Sequence, residues 1–242
     1  FIRQLKKRGG LLGGFSFFIR PRKRYTLDIL KLGLPVAAMN AYFAFINMNL
    51  ARVASVYGGH LGITSQTTGG QIDRITWNTS TGFSTALGSF AAQNYAAGKM
   101  ARAKRSFRYT LLLMGALGSI ATVAFVGFGS EIFSWFVPER EAFLAGGDYL
   151  MILGFSQLFM MLEITTQGIF NGLGRTTPPA IISVVFNTLR IPLAMILGAR
   201  IGVTGVWWAI SITSVFKGVI SFIWYTILQK RLSDKDRTLH PF

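Results

Sequence analysis

The chain has 242 residues, of which 51% are hydrophobic and 14% are charged, and its formal net charge is +16. Soluble domains carry about 25% charged residues, so this composition excludes an ordinary soluble domain and favours a protein of the lipid bilayer. The basic residues lie in short clusters between long apolar runs, a pattern that predicts no nucleic-acid partner. Cysteine is absent, which excludes disulfides and thiolate chemistry.

The predicted elements begin with a basic, glycine-rich linker at residues 1–25, which we place on the cytoplasmic side. Six apolar segments follow. Each is long enough to cross a bilayer, and only helices or closed barrels satisfy their backbone groups in lipid. The segments are too long and too weakly alternating for barrel strands, so the sequence predicts an all-α integral membrane protein, a bundle of six transmembrane helices followed by a cytoplasmic tail at 231–242. The predicted spans are 26–54, 67–95, 108–130, 142–171, 178–199 and 203–229.

The loops between these spans predict how the chain lies in the membrane. Since the sides alternate, the linker, the loops at 96–107 and 172–177 and the C-terminus share one side, and these segments are rich in Lys and Arg. The opposite loops hold only Arg140 and Arg200. Because cytoplasmic loops carry the excess of basic residues, both ends are expected in the cytoplasm and the protein in the plasma (inner) membrane.

No arrangement of catalytic or metal-binding residues is found in the sequence. The two histidines, His60 and His240, are far apart, and "AAQNYAAGKM" lacks the first glycine and the final Ser or Thr of a phosphate-binding loop. We therefore predict that the protein is not an enzyme and holds no metal or organic cofactor.

The acidic residues inside the spans are the main functional candidates. A charged side chain in mid-span costs roughly 2.5–3.5 kcal/mol, so such residues usually face a bundle interior or a watery cavity. We predict Glu163 and Asp73 as ion-coupling residues that bind H⁺ or Na⁺. The alternative for Glu163 is a static ion pair with a base such as Arg190, while Lys217 is a candidate for reaching toward the membrane interface.

The remaining polar and small residues of the spans suggest further roles. At about 100° per residue, Glu163, Gln167 and Asn171 share a helix face, and the Gly-x-x-x-Gly pair on the neighbouring face predicts close helix packing. Prolines inside spans permit kinks, which makes them hinge candidates. The candidates are, for packing, Gly168 and Gly172; for hinges, Pro35 and Pro192; and for the substrate cavity, Asn40, Asn47, Trp77, Asn78, Gln167, Asn171 and Arg190.

Four motifs, taken in order and spacing, resemble one transporter family. They are "LKLGLP" at the start of span one, "GFSTALGSFAAQNYAAGKMARAKR" at the end of span two, "TTQGIFNGLGRTTPP" at the end of span four and "NTLRIPLA" in span five. Together they look like the C-terminal half of a multidrug and toxic compound extrusion (MATE) transporter. The resemblance implies one lobe of a twelve-helix protein that expels cationic or amphiphilic compounds in exchange for protons or sodium ions. It also implies one partner besides the lipid bilayer and the exported compound, either a preceding six-helix lobe of the same protein or a second copy of the chain.

The sequence departs from this family at positions that bear on ion coupling. Some members carry an acid in the first helix of this lobe, where this chain offers Phe43, and some carry Asp where Met160 stands. Here the acid is Glu163, about one turn later, so the family's sodium site is not transferred and proton coupling or a differently built ion site is expected. Two alternatives stay open: an exporter of lipid-linked saccharides from the same superfamily, and a non-transporting lobe that acts as a scaffold for a partner.

Overall fold

The structure, a computed structural model, describes the backbone of residues 23–239 and the side chains of residues 37–38 and 41–230. This part of the chain is helical except for short links, which confirms the predicted all-α class. The predicted linker at 1–25 lies almost wholly outside the described residues. The helices are α1 (Lys23–Ala96), α2 (Met100–Ser134), α3 (Arg140–Gly172), α4 (Thr177–Ile201) and α5 (Val203–Leu239).

Helix α1 is a hairpin of two helical arms. Its backbone is non-helical at Gly59, with φ 56° and ψ −143°, a combination that glycine adopts without steric cost. The Ala54 carbonyl oxygen lies 2.6 Å from the Cβ position of Gly62, whereas eight residues of straight helix would separate them by about 12 Å. The chain therefore folds back at Gly59, between a first arm (23–58) and a second arm (60–96), and residues 23–239 contain six helical segments.

The connections between helices are shorter than predicted from the sequence. The expected loop at 55–66 is helical apart from Gly59, and the expected loop at 96–107 is reduced to residues 97–99 because α2 begins at Met100. Glycines at φ 70° follow the ends of three helices, where a left-handed residue lets the last carbonyls find donors without a long loop. These glycines are Gly98, Gly174 and Gly202. Helix α5 continues to Leu239, so the predicted tail from residue 231 is helical as far as that residue.

The chain divides into two compact units, Phe1–Ala44 and Phe45–Phe242, and every contact described below lies within the second. Helix α3 is the central element of that unit: its most apolar stretch is 61% buried, against 22% for the corresponding stretches of α2 and α4. It packs against the second arm, α2 and α5. One apolar cluster of this core is made of Leu87, Ala91, Ala103, Phe107, Ile169, Phe170, Leu173, Tyr225 and Leu228.

Four helices of the described region are long and apolar enough to cross a membrane: α2, α3, α4 and α5 as far as Lys230. Six such spans were predicted. The other two predicted spans lie in α1. Its second arm carries Asp73 and Arg74 among many Ser, Thr and Gly residues, and its first arm lies partly outside the residues whose side chains the structure describes. On α2 and α4, large apolar side chains such as Ile120 and Ile196 point outward and are exposed, as expected of helices that face lipid.

Candidate functional site

Polar contacts follow one another along α3, and each joins it to a neighbouring helix. Gln157 contacts the second arm, Glu163 contacts α5, and Gln167 and Asn171 line a groove near the C-terminal end of α3. The second arm, α3 and α5 run in the same direction, since successive contacts advance along all three. At about 1.5 Å per residue, Gln157 and Glu163 are separated by roughly 9 Å along the helix axis.

Asp73 is held by neutral partners. The Gln157 Nε2 atom donates a hydrogen bond of 2.6 Å to Asp73 Oδ1. The Thr76 hydroxyl lies 3.2 Å from the same oxygen and 3.1 Å from Gln157 Oε1. Because the amide and the hydroxyl carry no charge, this arrangement fixes the carboxylate in place without neutralising it.

Glu163 is paired with a base. Lys217 Nζ lies 3.1 Å from Glu163 Oε2, and the two side chains are only 12% and 11% exposed. The Ser183 hydroxyl of α4 donates a longer hydrogen bond, 3.4 Å, to Glu163 Oε1. Glu163 and Lys217 thus form a largely buried ion pair between α3 and α5.

The alternative of an ion pair for Glu163 agrees with the structure, but the base is Lys217 and not the suggested Arg190. The Arg190 guanidinium donates hydrogen bonds to Thr213 and Ser214 of α5, at 2.9 Å and 3.1 Å. It interacts electrostatically with both Glu163 and Asp73 without touching either carboxylate. Lys217 pairs with Glu163 because the two side chains face each other across the α3–α5 interface. Arg190 is instead held against the Thr213 and Ser214 hydroxyls at the α4–α5 contact. Lys217 is therefore a buried partner instead of a side chain reaching for the interface.

The predicted glycine pair lies where α3 and the second arm approach most closely. A Cβ atom on Gly168 would be 2.5 Å from the Ser84 carbonyl oxygen, and one on Gly172 would be 2.5 Å from the Gly88 carbonyl oxygen. The Ser84 hydroxyl also donates a hydrogen bond of 2.7 Å to the Ile164 carbonyl. The two helices therefore meet backbone to backbone, directly after Glu163 in α3.

A groove of about 560 Å³ lies beside this contact, between the second arm and α3. Three of the predicted cavity residues line it: Trp77, Gln167 and Asn171. Its other lining residues are small, hydroxyl-bearing or apolar, and none is charged: Thr81, Ser84, Thr85, Gly88, Ser89, Ala92, Ile164, Gly168 and Gly172.

The other predicted site residues lie elsewhere. Asn78 and Asn47 are exposed but do not line this groove, and Arg190 is at the α4–α5 contact. The side chains of Asn40 and Pro35 fall outside the described residues. Pro192 lies inside α4, and its role as a hinge stays a prediction. In the described part of the chain, no three His, Asp or Glu side chains gather as metal ligands.

Comparison with known proteins identifies the family. The MatE family model matches residues 35–196, more than half of the chain. The chain belongs to the MatE family. The resemblance seen in the four sequence motifs is thereby confirmed, and the chain is a multi-pass membrane protein.

Relatives of this MatE chain are about twice its length. It is 24% identical over 212 residues to the probable multidrug resistance protein YpnP of Bacillus subtilis, covering 87% of this chain and 47% of the relative. It is 22% identical over 220 residues to the probable multidrug resistance protein NorM of Thermotoga maritima, covering 86% and 45%. The MatE chain thus spans about half the length of these curated relatives.

Solved structures share the fold of the MatE chain. An inward-facing multidrug resistance MATE family transporter of the MOP superfamily matches with a TM-score of 0.80 at 19% identity, over 89% of this chain and 50% of that one. A MOP superfamily transporter from Pyrococcus furiosus, described as having a binding pocket of reverse polarity, matches with a TM-score of 0.76 at 20% identity, over 88% and 49%. At these identities the likeness establishes the fold alone.

Some residues of the MatE chain's polar sites were missed or misassigned by sequence reasoning. Gln157 is 84 positions from Asp73, so no local pattern connects them. One feature of the sequence could have identified Lys217 as a partner of Glu163. It is a single base inside an apolar span of α5, and a buried base requires an acid nearby. No feature of the sequence indicates the contacts of Ser183, Thr213 and Ser214, because hydroxyl groups in membrane spans usually form hydrogen bonds within their own helix.

Proposed function

We propose that this MatE chain is the C-terminal six-helix lobe of a secondary active multidrug antiporter of the plasma membrane. The lobe takes part in export of cationic or amphiphilic compounds in exchange for H⁺ or Na⁺, with both of its ends in the cytoplasm. Relatives described as multidrug resistance proteins, and matched over about half of their length, support this proposal. Transport, not catalysis, is the activity, and the partner is a second six-helix lobe, either adjoining this one in the same protein or supplied by a second copy.

The observation that carries the ion-coupling proposal is the environment of Asp73. Its partners, Gln157 and Thr76, are neutral, so a proton or Na⁺ can bind the carboxylate without displacing a positively charged side chain. Loss of the negative charge would weaken its attraction for Arg190. Binding of the ion to Asp73 would thereby shift the equilibrium between two packings of the helices. Such a difference in interaction energy between two conformations is what coupling requires.

Glu163 is the second coupling candidate and faces a larger barrier. A cation that binds Glu163 must displace the Lys217 ammonium or leave it buried without a counter-charge. Breaking a buried ion pair by removing one partner costs about 3–5 kcal/mol. We therefore rank Asp73 above Glu163 as the ion-binding residue and assign the Glu163–Lys217 pair to holding α3 against α5.

The lining of the groove supports a cationic or amphiphilic compound as the cargo. Its lining is polar but uncharged, with the exposed Trp77 ring at one end, and an aromatic face attracts organic cations. A pyrophosphate-bearing lipid would require positive charge, and the bases Arg52, Arg74, Arg190 and Lys217 do not line the groove. This favours the drug-like cargo over the lipid-linked saccharide.

The test compares two substitutions in the complete reading frame, reconstituted in lipid vesicles. Ethidium transport driven by an imposed proton or Na⁺ gradient is measured for Asp73→Asn and Glu163→Gln. We expect Asp73→Asn to lose the gradient-dependent part of transport. Because Glu163→Gln leaves Lys217 unpaired, its matched control is the double variant Glu163→Gln/Lys217→Met, which should regain gradient dependence. Gradient-driven transport at the wild-type rate in Asp73→Asn would refute the assignment.

A further inference from the structure

Three buried polar atoms have no hydrogen-bond partner among the side chains that the structure describes. They are Ser65 Oγ and Gln66 Oε1 in the second arm and Trp207 Nε1 in α5. Ser65 is 0% exposed and Trp207 is 1% exposed, so neither atom is in contact with bulk solvent. Folded proteins pair nearly all such atoms with protein groups or ordered water, since an unbonded one is costly.

The packing of the second arm on α5 brings Ser65 and Trp207 to the same level of the bundle. The two helices meet where the Cβ position of Gly62 lies 3.0 Å from Val203 Cγ2. From that contact both helices run in the same direction. Ser65 follows Gly62 by about 4.5 Å of helix and Trp207 follows Val203 by about 6 Å.

The Tyr149 ring of α3 lies between the second arm and Trp207. It occupies the space left by the missing side chain of Gly69, which is one turn after Ser65 on the same face of the second arm. The same ring meets Trp207 edge-on, with centroids 5.5 Å apart and an interplanar angle of 88°. One aromatic ring therefore contacts Trp207 of α5 and the second arm at Gly69, one turn after Ser65.

We propose that Ser65, Gln66 and Trp207 bind ordered water at the end of the bundle where α1 breaks at Gly59. The donors and acceptors are complementary: water accepts from the indole N–H, donates to the Gln66 amide oxygen and exchanges a third bond with the Ser65 hydroxyl. Three hydrogen bonds are typical of a buried water. An indole N–H cannot ligate a cation, so the site selects water over a bare metal ion.

The water site lies on a stripe that leads to Asp73. Ser65, Gly69 and Asp73 follow one another at intervals of four residues on one face of the second arm, with the Tyr149 ring packed over Gly69. The site itself follows from the three unpaired atoms and does not depend on the proposed transport activity.

Radiolytic footprinting of the native chain in detergent or bicelles tests the site. Hydroxyl radicals generated from a bound water oxidise the side chains beside it even when those side chains are buried. Tyr149 (4% exposed) has a matched control in Tyr225 (2% exposed), which packs against Phe107 and Phe170 in an apolar cluster. We expect Tyr149 and Trp207 to be oxidised severalfold faster than Tyr225. Equal rates for Tyr149 and Tyr225 would mean a dry site and would overturn the proposal.

Single cysteines give a second comparison, because the chain has no native cysteine. Ser65→Cys is compared with Ser156→Cys, since Ser156 is also buried but its hydroxyl donates to the Leu153 carbonyl at 2.9 Å. The thiol of Ser65→Cys should be oxidised severalfold faster, and equal rates would again contradict bound water. Trp207→Phe keeps the aromatic ring but removes the donor, and it should lower Tyr149 oxidation toward the Tyr225 rate. If Ser65→Cys fails to fold, the native comparison decides the question alone.

Discussion

The ion pair between Glu163 and Lys217 provides a quantitative test of how α3 is held to α5. The side chains meet at 3.1 Å and are only 11% and 12% exposed. Lys217→Met keeps most of the volume of the lysine stem but leaves the Glu163 carboxylate with the single long bond from Ser183, 3.4 Å. Removing one partner of a buried pair costs about 3–5 kcal/mol, so we expect Lys217→Met to be among the most destabilising changes at this interface.

The double variant Glu163→Gln/Lys217→Met isolates the pair itself. Replacing both members removes the unpaired charge, and such replacements are often neutral or stabilising. We therefore expect the double variant to be more stable than Lys217→Met alone and close to the wild type. The sum of the two single changes should therefore exceed the double change by at least about 3–5 kcal/mol.

Thermal unfolding in one fixed detergent measures these differences. For a chain of 150–250 residues, 1 kcal/mol corresponds to about 2–4 °C in the unfolding midpoint. Lys217→Met should therefore lower the midpoint by about 6–20 °C. Additive effects of the two substitutions, with no recovery in the double variant, would refute the pairing and the helix packing that produces it.

The remaining predictions concern close packing, the α1 break and the groove. Gly168→Ala places a Cβ atom 2.5 Å from the Ser84 carbonyl and should cost about 1–3 kcal/mol of overpacking. Gly115→Ala, with no atom within 4 Å of its Cβ, is the control, and similar midpoints for the two variants would contradict the backbone contact. Gly59→Ala should cost about 1–3 kcal/mol because the φ of 56° strains any other residue, whereas Gly70→Ala, in open helical surroundings, should not. Trp77→Ala should weaken ethidium binding by about 0.5–2 kcal/mol in a fluorescence titration, and unchanged affinity would place the cation elsewhere.

Much of the local structure follows from the sequence because it depends on local properties. Runs of apolar residues predict helices in lipid whatever their neighbours are, and glycine at intervals of four residues predicts a close helix contact wherever the partner is. The motif around Gly168 and Gly172 thus indicated both the packing face and the family. The lengths of the connections were overestimated because a run such as residues 55–66 is polar and glycine-rich, yet only Gly59 interrupts the helix there.

The tertiary structure decided which polar groups meet. Glu163 was marked by its chemistry as a residue that needs a partner, but two buried bases could have served, and helix packing selects Lys217 over Arg190. The Asp73–Gln157 contact and the three unpaired atoms beside Tyr149 join segments far apart in the chain. Composition and periodicity predict the helices, their apolar and polar faces and the residues that cannot tolerate lipid, because these properties are local. Pairing depends on which helix faces lie opposite one another, and only the packed bundle determines that.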